Sequence, residues 1–279
     1  MVILKKIDNR IARTFYDLKQ RHESALICYV VAGFPDVRKS EEIIETLVRA
    51  GADIIEIGIP FSDPIADGPT IQDASQYALT HGVTPEQCLV LAKAVRKKFP
   101  DLPLISMTYS NILFRNGFEH FMTRAKICGI DGFILPDMSV EESKEYSRIS
   151  RKLGLASIFI VSPNTEKERV RRIMNRSTGF LYVVSVYGVT GVRNTLHDDS
   201  IRRIIKLRGL INYNIPIAVG FGVQNRDHVK IMIKAGADGI IVGSALVNIV
   251  RSLGANHKML DNLYDLACEL KDACRQQQS

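Results

Sequence analysis

The chain has 279 residues, 46% apolar and 24% charged, a balance that fills a sizeable core and excludes a disordered or fibrous chain. Lys and Arg number 37 against 30 Asp and Glu, and this net +7 is spread along the sequence. The densest basic runs, residues 96–98, 171–172 and 202–208, hold no aromatic residues suited to base stacking; they read as solvated helix faces and argue against nucleic-acid binding.

The five cysteines form no CxxC and stand at no metal-ligand spacing from the six histidines, so a reduced intracellular protein with no bound metal is expected. His197, His228 and His257 lie in polar contexts and carry no expected role. No stretch of about 18 apolar residues is present to span a membrane. No signal peptide is visible, so the default location is cytoplasmic.

In chain order, residues 1–22 place Ile7, Ile11, Phe15 and Leu18 at helical spacing, an extra amphipathic helix that could plug one face of the fold. Eight short apolar, often β-branched runs follow, at residues 26–31, 54–57, 104–107, 132–135, 156–161, 180–184, 217–219 and 239–242. Amphipathic stretches separate them, such as residues 41–49 with Ile43, Ile44, Leu47 and Val48 on one face. Thr84 with Gln87, Ser139 with Glu142 and Thr165 with Glu168 read as capping boxes at helix starts.

A faint repeat recurs before three of the runs: Ala50-Gly51-Ala52-Asp53, Cys128-Gly129-Ile130-Asp131 and Ala235-Gly236-Ala237-Asp238. Each suits a helix that ends on glycine and turns into a parallel strand. Eight strand–helix units over about 250 residues predict a (β/α)8 TIM barrel, an α/β fold with an extra N-terminal helix. An open doubly wound sheet is the alternative, but Ala32-Gly33-Phe34-Pro35 after the first strand lacks GxGxxG. The whole chain, 1–279, reads as one domain, with residues 25–250 as the barrel proper.

In such a barrel, chemistry sits on the loops at the C-terminal ends of the strands. The second loop is the richest: residues 56–69 hold Glu56, Asp63 and Asp67 together with Pro60, Pro64 and Pro69. Glu56 alternates with Ile55 and Ile57, and neither side of a barrel strand suits a lone carboxylate without a task or a partner. A partly buried glutamate would have a raised pKa, as a residue that gives and takes protons near neutrality needs. Pairing with a nearby Arg or Lys is the competing structural reading. Asp63 and Asp67 next to Pro and Gly also fit ordinary turns.

After the seventh and eighth strands come Gly220-Phe221-Gly222 and Gly243-Ser244. Glycines there let backbone approach a ligand, and helix-start N–H groups favour an anion, so this is the expected phosphate site; close packing is the alternative. The sixth loop, Tyr187-Gly188-Val189-Thr190-Gly191, suits either a lid with Thr190 at its tip or a plain connection.

At these residues the sequence resembles the tryptophan synthase alpha subunit family. The likeness runs through residues 55–72, Gly82-Val83-Thr84, Asn111, Phe114, Asn116-Gly117, Asp137, Val140-Glu141-Glu142-Ser143, residues 188–191, Gly220-Phe221-Gly222 and Gly243-Ser244. It covers roughly residues 25–250 in order. It implies retro-aldol cleavage of indole-3-glycerol phosphate to indole and glyceraldehyde 3-phosphate, with Glu56 as acid/base and Asp67 on the indole N–H. It further implies phosphate held by backbone N–H groups of Gly191, Gly222, Gly243 and Ser244, with Gly220 in the same element. Tyr182 and Thr190 match substrate-contacting positions, and Tyr29 stands near the indole where the family usually has phenylalanine. No cofactor or metal is implied here; pyridoxal phosphate belongs to a partner beta subunit, in an alpha2beta2 heterotetramer that makes L-tryptophan. Ser139 in place of proline, Val186-Tyr187 before the sixth loop and a longer N-terminal helix depart from the pattern. A weakened alpha subunit acting only as an activator would be expected to lack Glu56 or Asp67. Another phosphosugar barrel would lack the 55–68 segment.

Overall fold

The apolar runs form eight parallel strands that close into a barrel in sequence order: β1 (Ala25–Val31), β2 (Ile54–Gly58), β3 (Leu104–Met107), β4 (Gly132–Ile134), β5 (Ala156–Val161), β6 (Leu181–Val184), β7 (Ile217–Gly220) and β8 (Gly239–Val242). This computed structural model describes residues 9–162, 165–184, 198–211, 215–220, 222–254 and 257–275. Its helices are α1 (Arg10–Gln20), α2 (Val37–Arg49), α3 (Pro69–Thr80), α4 (Pro85–Lys98), α5 (Ser110–Asn116), α6 (Phe118–Ile127), α7 (Lys144–Leu153), α8 (Lys167–Arg176), α9 (Asp198–Ile211), α10 (Arg226–Lys234), α11 (Ser244–Leu253) and α12 (His257–Arg275). Among the described residues no helix is long and apolar enough to cross a membrane.

The barrel interior is a stack of branched side chains, with Ile27, Ile54, Ile105, Ile134, Ile158 and Ile241 in one buried cluster. Ile11, Phe15 and Leu18 of α1 belong to the same cluster, so this helix plugs the barrel as its spacing predicts; Ile7 lies outside the described residues. Small residues admit the plug. A Cβ at Gly132 would stand 3.2 Å from Ile11 and one at Gly239 would stand 3.3 Å from Phe15. Asn9 starts α1 by accepting the Ala12 N–H at 3.1 Å, which fixes where the plug begins. Outside the ring, α12 buries Met259, Leu263, Ala267 and Leu270 and packs against α2, α10 and α11.

The Gly-x-Asp repeat has a physical explanation in the barrel floor. Asp53 accepts the N–H of Leu26 at 2.7 Å, Asp131 that of Leu104 at 2.9 Å and Asp238 that of Ile217 at 2.8 Å. Each aspartate also donates its own N–H to the carbonyl of that same strand residue. Before β6, Thr178 does the same to Ser157 with its hydroxyl, at 2.8 Å. Every odd strand is thereby pinned to the residue that leads into the next even strand.

Three of these pins carry a cation from the helix that precedes the pair around the ring. Lys271 of α12 meets Asp53 at 2.9 Å, Arg96 of α4 meets Asp131 at 2.7 Å, and Arg208 of α9 meets Asp238. The repeat's glycines lie under the cation stems: a Cβ at Gly129 would be 2.6 Å from Arg96 and one at Gly51 2.8 Å from Lys271. All three glycines have φ between +96° and +107°, a conformation that side chains avoid.

This corrects the reading of residues 96–98 and 202–208 as wholly solvated faces. Arg96 and Arg208 fold under the barrel because the floor carboxylates need partners out of water. Two helix starts also differ. The Thr84–Gln87 box forms as expected, but Ser139 and Glu142 close a turn ahead of α7, which begins at Lys144. Helix α8 follows Glu166, with no side-chain cap, so Thr165 does not cap it.

Asp131 is 1% exposed and also holds Arg10 of α1 at 2.8 Å, so its removal strands two guanidinium groups and a strand N–H. Asp131→Ala is therefore expected to destabilise the protein by about 3 kcal/mol, against about 1 kcal/mol for Thr178→Val. Urea unfolding of both variants checks this, and equal losses would mean that the cations contribute nothing.

Candidate active site

Glu56 shares its strand face with Ile54 and points into the barrel. It is 0% exposed, and neither carboxylate oxygen has a hydrogen-bond partner among the described residues. The Arg or Lys of the competing structural reading is not found bonded to it among the described residues. Burial, with the charge of Asp67 adding to it, pushes the Glu56 pKa up to about 8.

Asp67 stands at the end of the loop between β2 and α3. Its N–H donates to the Pro64 carbonyl at 3.0 Å, and Gln72 of α3 ties down both Pro64 and Asp67 carbonyls, at 3.3 and 2.9 Å. Pro69 occupies the first turn of α3, where its missing N–H is harmless. The carboxylate accepts the Tyr109 hydroxyl at 3.1 Å, while that hydroxyl accepts the Ala66 N–H at 3.0 Å. Phe61 stacks on the Tyr109 ring, centroids 4.9 Å apart, and holds the tyrosine in place. Burial lifts the Asp67 pKa to about 6, and the Tyr109 hydrogen bond opposes that lift. Asp63 is turn chemistry: exposed, and accepting the Ser62 hydroxyl at 2.5 Å.

Two tyrosines fill the barrel mouth because glycines leave them room. A Cβ at Gly58 would overlap the Tyr29 hydroxyl, and a Cβ at Gly220 would lie 2.9 Å from that of Tyr182. Tyr29 also lies against Gly243, across the β1/β8 pair. Above them opens a pocket of about 500 Å3, a volume that includes open solvent. Tyr29, Asp67, Tyr182, Gly220, Gly222, Gly243 and Ser244, all expected at the site, line it together. Glu56 is the exception: it lies buried next to the pocket and not on its surface.

The pocket is polarised although no Lys or Arg lines it among the described residues. Asp67 provides the negative side. Opposite are the glycines after β7 and the start of α11, whose first N–H groups have no partners within the helix. Gly222 has φ +53° and nothing within 4 Å of the place its Cβ would take, so its backbone borders open space. This end suits an anion, and the Asp67 end suits an N–H donor or a developing positive charge. Among the described residues no group of three or more His, Cys, Asp and Glu is placed to hold a metal ion.

Thr190 and Gly191, with Val186-Tyr187 and His197, lie outside the described residues, as does Phe221. Asn225 caps α10, accepting the His228 N–H at 3.0 Å. Tyr109, Met107, Ile71, Val223 and Ile241 join the site without having been expected. The partner of Asp67 is 42 positions away, and nothing local around Tyr109 signals it.

Residues 15–275 match the family model described as tryptophan synthase alpha chain. The tryptophan synthase alpha chain of Methanosarcina mazei is 44% identical over 262 residues, 94% of this chain and 93% of its own. That of Aquifex aeolicus is 40% identical, covering 96% of this chain and 99% of its own. Among solved structures, Mycobacterium tuberculosis tryptophan synthase superposes with a TM-score of 0.85 at 34% identity, over 96% of this chain and 98% of that one. A Legionella pneumophila tryptophan synthase alpha chain gives 0.88 at 32% identity, over 97% and 99%.

The burial of Glu56 has a consequence for stability that needs no ligand. Its pKa rises from 4.5 to about 8 on folding, so folding takes up a proton. Its contribution is fully present below about pH 4.5 and is lost as pH rises through 8. Glu56→Gln, which cannot ionise, is expected to melt above the wild type, with a gap wider at pH 9 than at pH 5. A gap independent of pH would show that the carboxyl is not held protonated.

Proposed function

The chain belongs to the tryptophan synthase alpha chain family, and from that premise we propose that Glu56 and Asp67 are the catalytic pair of its pocket. It is a lyase of L-tryptophan biosynthesis, cleaving indole-3-glycerol phosphate to indole and glyceraldehyde 3-phosphate. The observation that carries the residue assignment is the contrast between two carboxyls: Glu56 is buried and kept protonated, and Asp67 is fixed by Tyr109 at the pocket wall.

The reaction breaks the bond between indole C3 and the carbinol carbon. Glu56, protonated below about pH 8, gives its proton to C3, and the positive charge that results spreads to the indole nitrogen. Asp67, ionised above about pH 6, accepts the indole N–H and stabilises that charge. The Glu56 carboxylate then takes the carbinol O–H proton as the C–C bond electrons return to the ring. Glu56 ends protonated, so the cycle closes without a cofactor. The phosphate lies at the other end of the pocket, on the backbone N–H groups of Gly222, Gly243 and Ser244 beside Gly220, with Thr190 and Gly191 as family-implied contacts. Tyr29 and Tyr182 flank the organic part. A chain serving only to activate a partner has no use for a buried, unpartnered carboxyl, which favours the lyase.

The pyridoxal phosphate enzyme of tryptophan synthase is the beta subunit. We place this chain in an alpha2beta2 heterotetramer that delivers indole to it. In support, Ile65 and Phe114 are 83% and 61% exposed on segments leaving neighbouring strands at the pocket end. A cytoplasmic setting, as one barrel domain, fits the five free cysteines.

Glu56→Gln is expected to lower kcat for indole release by about 10²–10⁴. In the wild type, kcat/KM should rise with pH through about 6 as Asp67 ionises and fall above about 8 as Glu56 loses its proton. A flat profile, or a variant keeping a third of the rate, would remove Glu56 from its role. For the phosphate end, Gly222→Ala sets a methyl in open pocket space on backbone at φ +53°, which strains the cradle, and should raise KM about tenfold while kcat changes less than about threefold. The opposite split, measured by initial rates, would make Gly222 a packing residue.

A further inference from the structure

Tyr29 is the register partner of Glu56 across the β1/β2 pair, and both side chains turn toward the barrel interior. Its ring is fixed by the Gly58 notch on one side and Gly243 on the other. Its hydroxyl makes no hydrogen bond to any described residue, just as the Glu56 oxygens make none. The charges near it are Asp67 and Glu56, with the phenols of Tyr182 and Tyr109 beyond. Burial, reinforced by those two carboxylates, keeps the Tyr29 proton on its oxygen, so the hydroxyl is a donor.

Here an unused donor stands beside an unused acceptor, and the two are not paired with each other. An alcohol is the group that satisfies both, since it donates to a carboxylate while its oxygen accepts from a phenol. Resting on the lyase reading above, we propose that Tyr29 is a further catalytic residue, whose hydroxyl donates to the substrate's carbinol oxygen while Glu56 takes the proton from that oxygen. As the O–H proton passes to Glu56, the oxygen's electron pair forms the C=O bond and the C–C pair returns to the ring. Negative charge grows on the carbinol oxygen only until C=O is complete, and the Tyr29 hydrogen bond is strongest in that interval. The phenol keeps its proton throughout, so the balance of the reaction is unchanged. A phenylalanine at this position would give the same wall for the indole ring without this contact.

Tyr29→Phe keeps the ring in the Gly58 notch and removes only the hydroxyl. The test pairs two ligands on the full chain: indole-3-glycerol phosphate, read by indole release, and indole-3-propanol phosphate, which lacks the carbinol, read by its dissociation constant. The expected result is a kcat lower by about tenfold or more, with affinity for the propanol phosphate changed by less than about twofold. An unchanged kcat overturns the proposal. So does a parallel loss of rate and of propanol phosphate affinity, which would make Tyr29 a packing wall. If the wild type released no indole, the lyase reading would fail first and take this proposal with it. An active wild type with an unaffected Tyr29→Phe would overturn the Tyr29 role alone.

Discussion

A carboxyl group enclosed in a barrel, with no hydrogen-bond partner among the described residues, is the constraint from which the rest of the active face follows. Water would relieve Glu56, and so would a lysine, but either would leave a glutamate of ordinary acidity. No lysine or arginine among the described residues bonds to it, and the rings of Tyr29 and Tyr182 stand at the mouth above it. Those rings fit only because Gly58 and Gly220 withdraw their side chains from the same level. These glycines thus have a second role, in making room for the rings that bury the acid.

The same enclosure separates the tasks of the two carboxyls. Both are lifted by burial, but Asp67 touches the pocket and receives a phenol proton in a hydrogen bond, which favours its charged form. Glu56 receives none from the described residues, and the Asp67 charge pushes it further the same way. A difference of one hydrogen bond and in burial gives a base-like group and an acid-like group in one small space. The anion end needs no such tuning, since helix N–H groups carry fixed partial charge at any pH.

Periodicity made the barrel legible. Eight apolar runs at regular spacing, and a helix with Ile11, Phe15 and Leu18 on one face, report local burial that the sequence pattern encodes directly. Glu56 was legible as an improbable residue for its place, and Gly220, Gly222 and Gly243 as breaks where strands meet helices; Asp67, beside a glycine, also fitted an ordinary turn and stood out only through the family resemblance. Tyr109 was not, because its value lies in a bond to a residue 42 positions earlier and its neighbours show no pattern. Arg96 and Arg208 were misleading for a related reason. A basic run has the same composition whether its guanidinium groups face water or bend under a barrel, and only the glycine lying beneath each stem distinguishes the two. The cap expected at Thr165 failed because the helix takes Glu166 as its boundary, a shift that composition does not resolve.

The floor pins divide the ring into four strand–helix–strand quarters, β1–β2, β3–β4, β5–β6 and β7–β8, each closed on itself by hydrogen bonds within one stretch of chain. The cations of α12, α4 and α9 then stitch a quarter to the one before it, and α12 does so across the two chain ends. Where the polypeptide is cut is therefore not a neutral matter. Between quarters, a new pair of termini leaves all four closures intramolecular, and circular rearrangement preserves every building block. Within a quarter, the same cut turns a local closure into an encounter between separate pieces. The molecule is covalently linear but mechanically a cycle of four, and its original ends are one seam among several equivalents.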